Sequence, residues 1–253
     1  MKFARVQYKG TIYHTTVIDN KYYPLNGDFY SYSAISKKPL DGIDKILAPI
    51  IPSKVVALGL NYKLHIQELH AGASEPSEAV IFIKPDTSVI GNNDVIVRPK
   101  RSERVDYEAE LAFYISKDCR NVSPLNANDY ILGYTCLNDV TARDLQKLDG
   151  QWTRAKGYDT FCPIGPYIVT DIDTTNLEVK AILNGKVVQQ GNTRDMIHSI
   201  PKMLAYISGI MTLRKGDVIT TGTPSGIGPM SDGDIIEIYV ENVGNLVNMV
   251  KDE

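Results

Sequence analysis

A row of acidic side chains inside an apolar strand constrains this chain more than any other feature. The segment reads Val105-Asp106-Tyr107-Glu108-Ala109-Glu110-Leu111-Ala112-Phe113-Tyr114-Ile115. Successive side chains of a strand point to opposite faces, so Val105, Tyr107, Ala109, Leu111, Phe113 and Ile115 form one apolar face. Asp106, Glu108 and Glu110 fall on the other. A solvated acidic face would satisfy this alternation. Against that stand the depletion of acidic residues in strands and the spacing of i and i+2 side chains, only about 7 Å apart. Like charges that close become favourable when a hard cation lies between them. Oxygen ligands without His or Cys select Mg²⁺, Mn²⁺ or Ca²⁺ over zinc or copper.

A further carboxylate has suitable context. The apolar run Leu132–Leu137 ends in Asn138-Asp139, and a carboxylate at a strand terminus is well placed to complete a metal site. Arg143 and Gln146 follow three apart, on one face of an expected helix.

The remaining sequence describes a globular protein. Its 253 residues are 43% hydrophobic and 23% charged, enough apolar material for a sizeable core and too much for disorder. The formal charge is −3, and the densest basic stretches, Lys37-Lys38 and Arg98 to Arg104, are short. Nucleic-acid binding is therefore not expected. No run approaches the roughly 18 apolar residues of a membrane helix, and MKFARVQYKG has no apolar run after its basic residues. Cys119, Cys136 and Cys162 form no CxxC pair. Buried thiols in a reducing cytoplasm are the expectation.

Residues 1–50 read as a small β module of short strands and turns, with a helical connection expected over Ala34–Leu47. A larger domain over 51–253 follows. It begins with an apolar strand at Val55–Leu60 and a helix over Asn61–His70. Strands are expected at Ala79–Lys84, Val105–Ile115, Pro166–Thr170, Glu178–Leu183, Asp217–Thr221 and Ile235–Val240. Asn184-Gly185 is a hairpin turn signal. Ser199 and Pro201 open a helix running to Ile210. Strands outnumber helices and do not alternate with them regularly, so the fold class is a β-rich α+β domain, not a doubly wound βαβ fold.

The ordered motifs resemble the fumarylacetoacetate hydrolase (FAH) family, in its short bacterial and archaeal form. They are Gly59-Leu60-Asn61-Tyr62-x-x-His65-x-x-Glu68, Phe82-x-Lys84-Pro85, Asp106-x-Glu108-x-Glu110-Leu111 and Asn138-Asp139-x-Thr141-x-Arg143-Asp144-x-Gln146. Trp152-Thr153-Arg154-Ala155-Lys156-Gly157, Asp159-Thr160-Phe161-x-Pro163-x-Gly165-Pro166 and Thr221-Gly222-Thr223-Pro224-x-Gly226-x-Gly228 complete the set. Each alone is weak, but the set spans about residues 55 to 230 in family order. The resemblance implies a mixed β-roll catalytic domain, a homodimer and bound Mg²⁺ or Mn²⁺ on Glu108, Glu110 and Asp139. Asp106 has no ligand role there and is expected to orient the site or face solvent.

By themselves, Lys156 reads as part of a solvated basic turn, Thr223 as part of a plain turn after a strand, and His65 and Glu68 as an exposed pair on one helix face. The resemblance gives each a task. Lys156 would stabilise developing oxyanion charge, and Arg143, Gln146 and Thr223 would meet the substrate. Glu68 would orient His65 as a general base, and Ala71–Ser77 would form a lid. The implied substrate is a small 2-oxo acid. Hydrolysis of an acylpyruvate such as fumarylpyruvate is placed slightly ahead. The close alternatives are 2-hydroxyhepta-2,4-diene-1,7-dioate isomerase and oxaloacetate decarboxylase or tautomerase. A module that holds metal or carboxylic acid without turnover is the alternative from another class.

Overall fold

A computed structural model describes residues 1–69 and 76–253. The centre is a large mixed sheet. Ten of its strands follow the order Tyr32–Ile35, Lys21–Gly27, Thr11–Ile18, Lys2–Tyr8, Cys162–Val169, Ile131–Asn138, Ala109–Ile115, Val218–Thr220, Val55–Gly59, Val80–Lys84. Residues of the first 50 thus extend this sheet, through antiparallel pairing of Lys2–Tyr8 with Cys162–Val169. A five-stranded sheet runs Lys186–Asn192, Glu178–Leu183, Ile235–Val240, Gly244–Asp252, Val95–Arg98, and a three-stranded one joins Thr141–Ala142, Val105–Tyr107 and Gly228–Pro229. The fold is the β-rich α+β architecture expected.

Burial explains why the central strand is so apolar. Leu111, Phe113 and Ile115 pack in one core cluster with Val179, Ala181, Ile236 and Ile238 of the five-stranded sheet. Ala112 and Tyr114, on the opposite face, pack with Leu137, Ile164 and Ile168 in a second cluster. The alternation in Ala109–Ile115 therefore separates two buried faces, and no acidic face meets solvent.

Among the described residues, four α-helices decorate these sheets. They are α1 (Lys63–Leu69), α2 (Arg143–Asp149), α3 (Thr153–Lys156) and α4 (Ile200–Ile210). The last carries Pro201 in its first turn, although the Ser199 side chain makes no capping bond. Among the described residues, no helix is long and apolar enough to cross a membrane, and all three cysteines are free and buried.

Two expectations are corrected. Ala34–Leu47 holds no helix; its regular parts are the end of Tyr32–Ile35 and the short strand Lys45–Leu47, which pairs with Lys2–Tyr8. Pairing with an existing sheet satisfies backbone groups that so short a helix would leave open. Val105–Ile115 is also not one strand. It breaks at Glu108, leaving Val105–Tyr107 in the three-stranded sheet and Ala109–Ile115 in the large one. His70 and most of the Ala71–Ser77 stretch lie outside the described residues.

Candidate active site

The break at Glu108 builds the site. Its N–H donates to Asn138 Oδ1 at 2.9 Å, and its carbonyl accepts from Asp139 N–H at 3.0 Å. The neighbouring strand ends at Asn138, so the chain leaves both strands at one level and brings Glu108 and Asp139 together. Glu110 lies one residue inside the large sheet and takes Gly222 N–H on Oε2 at 2.8 Å. Gly222 has φ +86, and a Cβ there would stand 2.8 Å from Asn61 Cβ, so only glycine gives the backbone this approach.

Glu108, Glu110 and Asp139 are buried and offer oxygen atoms within 4.8 Å of one another. Cations surround them. Lys156 Nζ donates to Glu108 Oε2 at 2.9 Å and to Asp139 Oδ2 at 2.7 Å. Lys84 Nζ reaches Asp139 Oδ1 at 2.5 Å and the Val140 carbonyl at 3.2 Å. Arg143 pairs with Glu108 through Nη2 and with Asp106 through Nε. Its Nη1 donates to Gln146 Oε1 at 2.6 Å.

These neighbours divide the carboxylates. Burial pushes the Glu108 carboxyl up, but Lys156 and Arg143 outweigh it and hold the group well below the usual range. At Glu110, burial and then the charges of Asp139 and Glu108 push the carboxyl well above it. Burial lowers the Lys156 ammonium, yet Asp139 and Glu108 leave it above its ordinary value. Glu110 is thus a carboxylate whose ionised form the Lys156 charge compensates only in part. The donor set of three oxygens without nitrogen or sulfur fits a hard divalent ion, and such an ion would relieve that repulsion. The Nδ2 of Asn138, beside Asp139, is also buried with no protein partner among the described residues.

The His–Glu pair faces the same space. His65 on α1 is only 4% exposed, not the surface residue its helix suggested. Its Nδ1 lies 3.1 Å from Glu68 Oε2, and Glu68 Oε1 accepts Gly226 N–H at 3.0 Å. Burial raises the Glu68 carboxyl, but His65 and the Gly226 N–H more than offset this and keep it below its usual value. Glu108, Glu110, Asp139, His65, Arg143, Gln146, Lys156 and Thr223 all line one cavity, walled on its apolar side by Leu58, Leu60 and Trp152. Its free volume of about 20 Å³ suits a single water or ion.

Eight of the nine residues singled out in the sequence thus line this cavity, and Glu68 joins them through His65. Thr223 reaches the cavity, although its hydroxyl is engaged with the Ala109 carbonyl at 2.9 Å. Sequence reading assigns Lys84 no role and leaves Asp106 between orienting the site and facing solvent. Lys84 is fully buried against Asp139; its signal was a lysine ending the apolar strand before Pro85. Asp106 is buried too, and does not face solvent. It accepts Arg104 Nε at 2.8 Å and Arg143 Nε at 2.9 Å, and so orients Arg143. Asp106→Asn leaves a buried guanidinium short of an anion, which is expected to cost about 3 kcal/mol. Urea unfolding measures that loss, and a midpoint unchanged from the wild type would show that Arg143 does not depend on Asp106.

The fold and this buried centre define a metal-dependent enzyme. The model of the fumarylacetoacetate (FAA) hydrolase C-terminal family matches residues 54–251. The chain belongs to the fumarylacetoacetate hydrolase family, whose members are metal-dependent hydrolases, isomerases or decarboxylases. A crystal structure of 2-hydroxyhepta-2,4-diene-1,7-dioate isomerase from Mycobacterium marinum superposes with a TM-score of 0.91 at 41% identity, covering 100% of this chain and 99% of that one. The structure of 5-carboxymethyl-2-hydroxymuconate delta-isomerase from Mycobacterium smegmatis gives 0.92 at 39% identity, with full coverage of both. The mitochondrial oxaloacetate tautomerase fahd2 of Xenopus laevis is 40% identical over 218 residues, 81% of this chain and 68% of that protein.

Proposed function

We propose that this enzyme moves a proton between carbon and oxygen in a small 2-oxo dicarboxylic acid, as an enol–keto tautomerase or double-bond isomerase. The observation that carries the reading is the His65–Glu68 pair held over the carboxylate centre. Glu68 accepts the hydrogen bond of the Nδ1–H, which keeps that proton on Nδ1 and leaves Nε2 of His65 as the basic nitrogen of a ring that lines the cavity. The names of the three relatives support proton movement on acids of this type.

Glu108, Glu110 and Asp139 would hold Mg²⁺ or Mn²⁺. When bound, such an ion supplies Lewis acidity toward the 2-oxo and carboxylate oxygens of the substrate. His65 Nε2 accepts the proton from the carbon next to the keto group. The C–H pair becomes the C=C bond, and the former keto oxygen takes a proton from the Lys156 ammonium. Lys156 thereby neutralises the oxygen where charge develops. Arg143, Gln146 and Thr223 orient the carboxylates.

Charge favours an anionic ligand. With every group ionised, four buried carboxylates (Asp106, Glu108, Glu110, Asp139) and three buried cations (Lys84, Arg143, Lys156) balance to −1. A divalent ion turns this to +1, so the loaded centre attracts anions and the metal-free one does not.

Product-resolved NMR in D₂O on metal-stripped protein tests the proposal, with enol-oxaloacetate and fumarylpyruvate and with or without Mg²⁺. The expected result is Mg²⁺-dependent ketonisation of enol-oxaloacetate with deuterium entering at C3 and no fragment released. Pyruvate plus fumarate from fumarylpyruvate would assign hydrolysis. Pyruvate plus CO₂ from oxaloacetate would assign decarboxylation. Metal binding without any of these would leave a non-catalytic binding module.

A further inference from the structure

The strand Lys186–Asn192 lies at the edge of the five-stranded sheet, and it is exposed through Lys186, Val187 and Val188. The residue that turns inward next is polar: Gln189, only 1% exposed. Its direction has a backbone cause. Gln189 pairs with Ala181 and Val187 with Ile182, so Val188 is an extra residue, and a β-bulge there redirects the side chain that follows.

Gln189 uses its whole amide at the active centre. Oε1 accepts Ala109 N–H at 3.0 Å. Nε2 donates to Thr223 Oγ1 and to the Pro224 carbonyl, both at 2.7 Å. The Thr223 hydroxyl in turn donates to the Ala109 carbonyl at 2.9 Å. Ala109 is the single residue between Glu108 and Glu110. Its N–H sits at the strand break, and burial makes a lost partner there costly. The same amide fixes the loop whose Gly226 N–H holds Glu68.

We propose that Gln189 is a positioning residue that sets the distance between the Glu108–Ala109–Glu110 ligand segment and the Thr223–Pro224 substrate loop. This rests on the metal-site and substrate-loop assignments above, not on the identity of the substrate. A primary amide is required because one side chain must accept on the Ala109 side and donate on the loop side. Glutamate preserves the first contact and loses the second, since a carboxylate has no proton for the Pro224 carbonyl. Leucine, of similar size, loses both.

The experiment measures Mn²⁺ affinity by EPR and, on the Mn²⁺-loaded protein, oxalate affinity by calorimetry, for wild type, Gln189→Glu and Gln189→Leu. KM and kcat for enol-oxaloacetate are measured alongside. Gln189→Glu is expected to keep Mn²⁺ affinity within about threefold while oxalate binding weakens and KM rises by about tenfold or more, with a smaller change in kcat. Gln189→Leu is expected to weaken Mn²⁺ as well, by about 10- to 100-fold. Both affinities within twofold of wild type in Gln189→Glu overturn the proposal, whether or not Gln189→Leu folds. Wild-type protein that binds Mn²⁺ and oxalate yet does not turn over enol-oxaloacetate would overturn the substrate reading alone, because the two affinities still test Gln189.

Discussion

Glu110→Gln is expected to remove metal-dependent turnover and, in the metal-free protein, to raise stability above about pH 5. The two effects have one origin. Glu110 is buried beside Asp139 and Glu108, and these neighbours, together with burial, hold its carboxyl well above 4.5. A carboxyl whose folded pKa is raised keeps its proton in the native state after the unfolded chain has released it. The native state then binds more protons, so stability falls as pH rises from the unfolded value toward the folded one, by about 1.4 kcal/mol for each unit between them. Glutamine has nothing to titrate and still accepts Gly222 N–H, so the metal-free variant loses that slope. With Mg²⁺ the order reverses. Metal at 100 times its Kd stabilises wild type by about 2.7 kcal/mol, and the variant, lacking one anionic ligand, gains less. Loss of Lewis acidity worth several kcal/mol corresponds to a fall in turnover on the order of 10³-fold. Thermal melts of both proteins from pH 5 to 8, stripped and loaded, give the comparison. Parallel pH curves for the stripped pair would show that Glu110 is not the strained carboxylate.

What the sequence showed of this site, and what it hid, follow from the range of the interactions. The alternation of Ala109–Ile115 is local and survives in the structure. The break at Glu108 is not local: its N–H is taken by Asn138, 30 residues away, and the next N–H by Gln189, 80 away. Nothing near Glu108 signals a partner so distant, so a strand continuous from Val105 was the natural reading. Asn61 shows the same limit. It precedes a helix and reads as its start, but its side chain is spent on the Thr221 and His198 carbonyls and on His198 N–H. There it ties α1 to the loop beside Glu110. Lys156 reads as part of a basic turn and His65 as a polar position on a short helix, where exposure is the usual state. Only the ordered set of motifs distinguished them from solvated side chains. The Asn184-Gly185 hairpin was legible as a turn, but the bulge at Val188 that aims its second strand at the site was not.

Glu68→Gln is expected to reduce turnover more than Glu68→Ala does, although glutamine keeps the size and a hydrogen-bonding side chain. Glu68 serves two donors: Oε2 faces His65 Nδ1 at 3.1 Å, and Oε1 accepts Gly226 N–H at 3.0 Å. Glutamine has one oxygen. Gly226 N–H can only donate, so the oxygen turns to it and the NH₂ faces Nδ1. Nδ1 must then accept, which places the imidazole proton on Nε2, the nitrogen that has to be free to take a proton from substrate. Alanine leaves the ring free to hold either tautomer, and part of the population retains a basic Nε2. A ring held in the wrong tautomer costs on the order of 10⁴-fold in kcat, and loss of the base itself in His65→Ala about 10²- to 10⁴-fold. In all three variants the carboxylate centre is untouched, so Mn²⁺ affinity should stay within about twofold of wild type. Initial rates with enol-oxaloacetate and Mn²⁺ titrations on the same preparations separate these effects. Glu68→Gln turning over faster than Glu68→Ala would mean that Glu68 does not set the tautomer of His65.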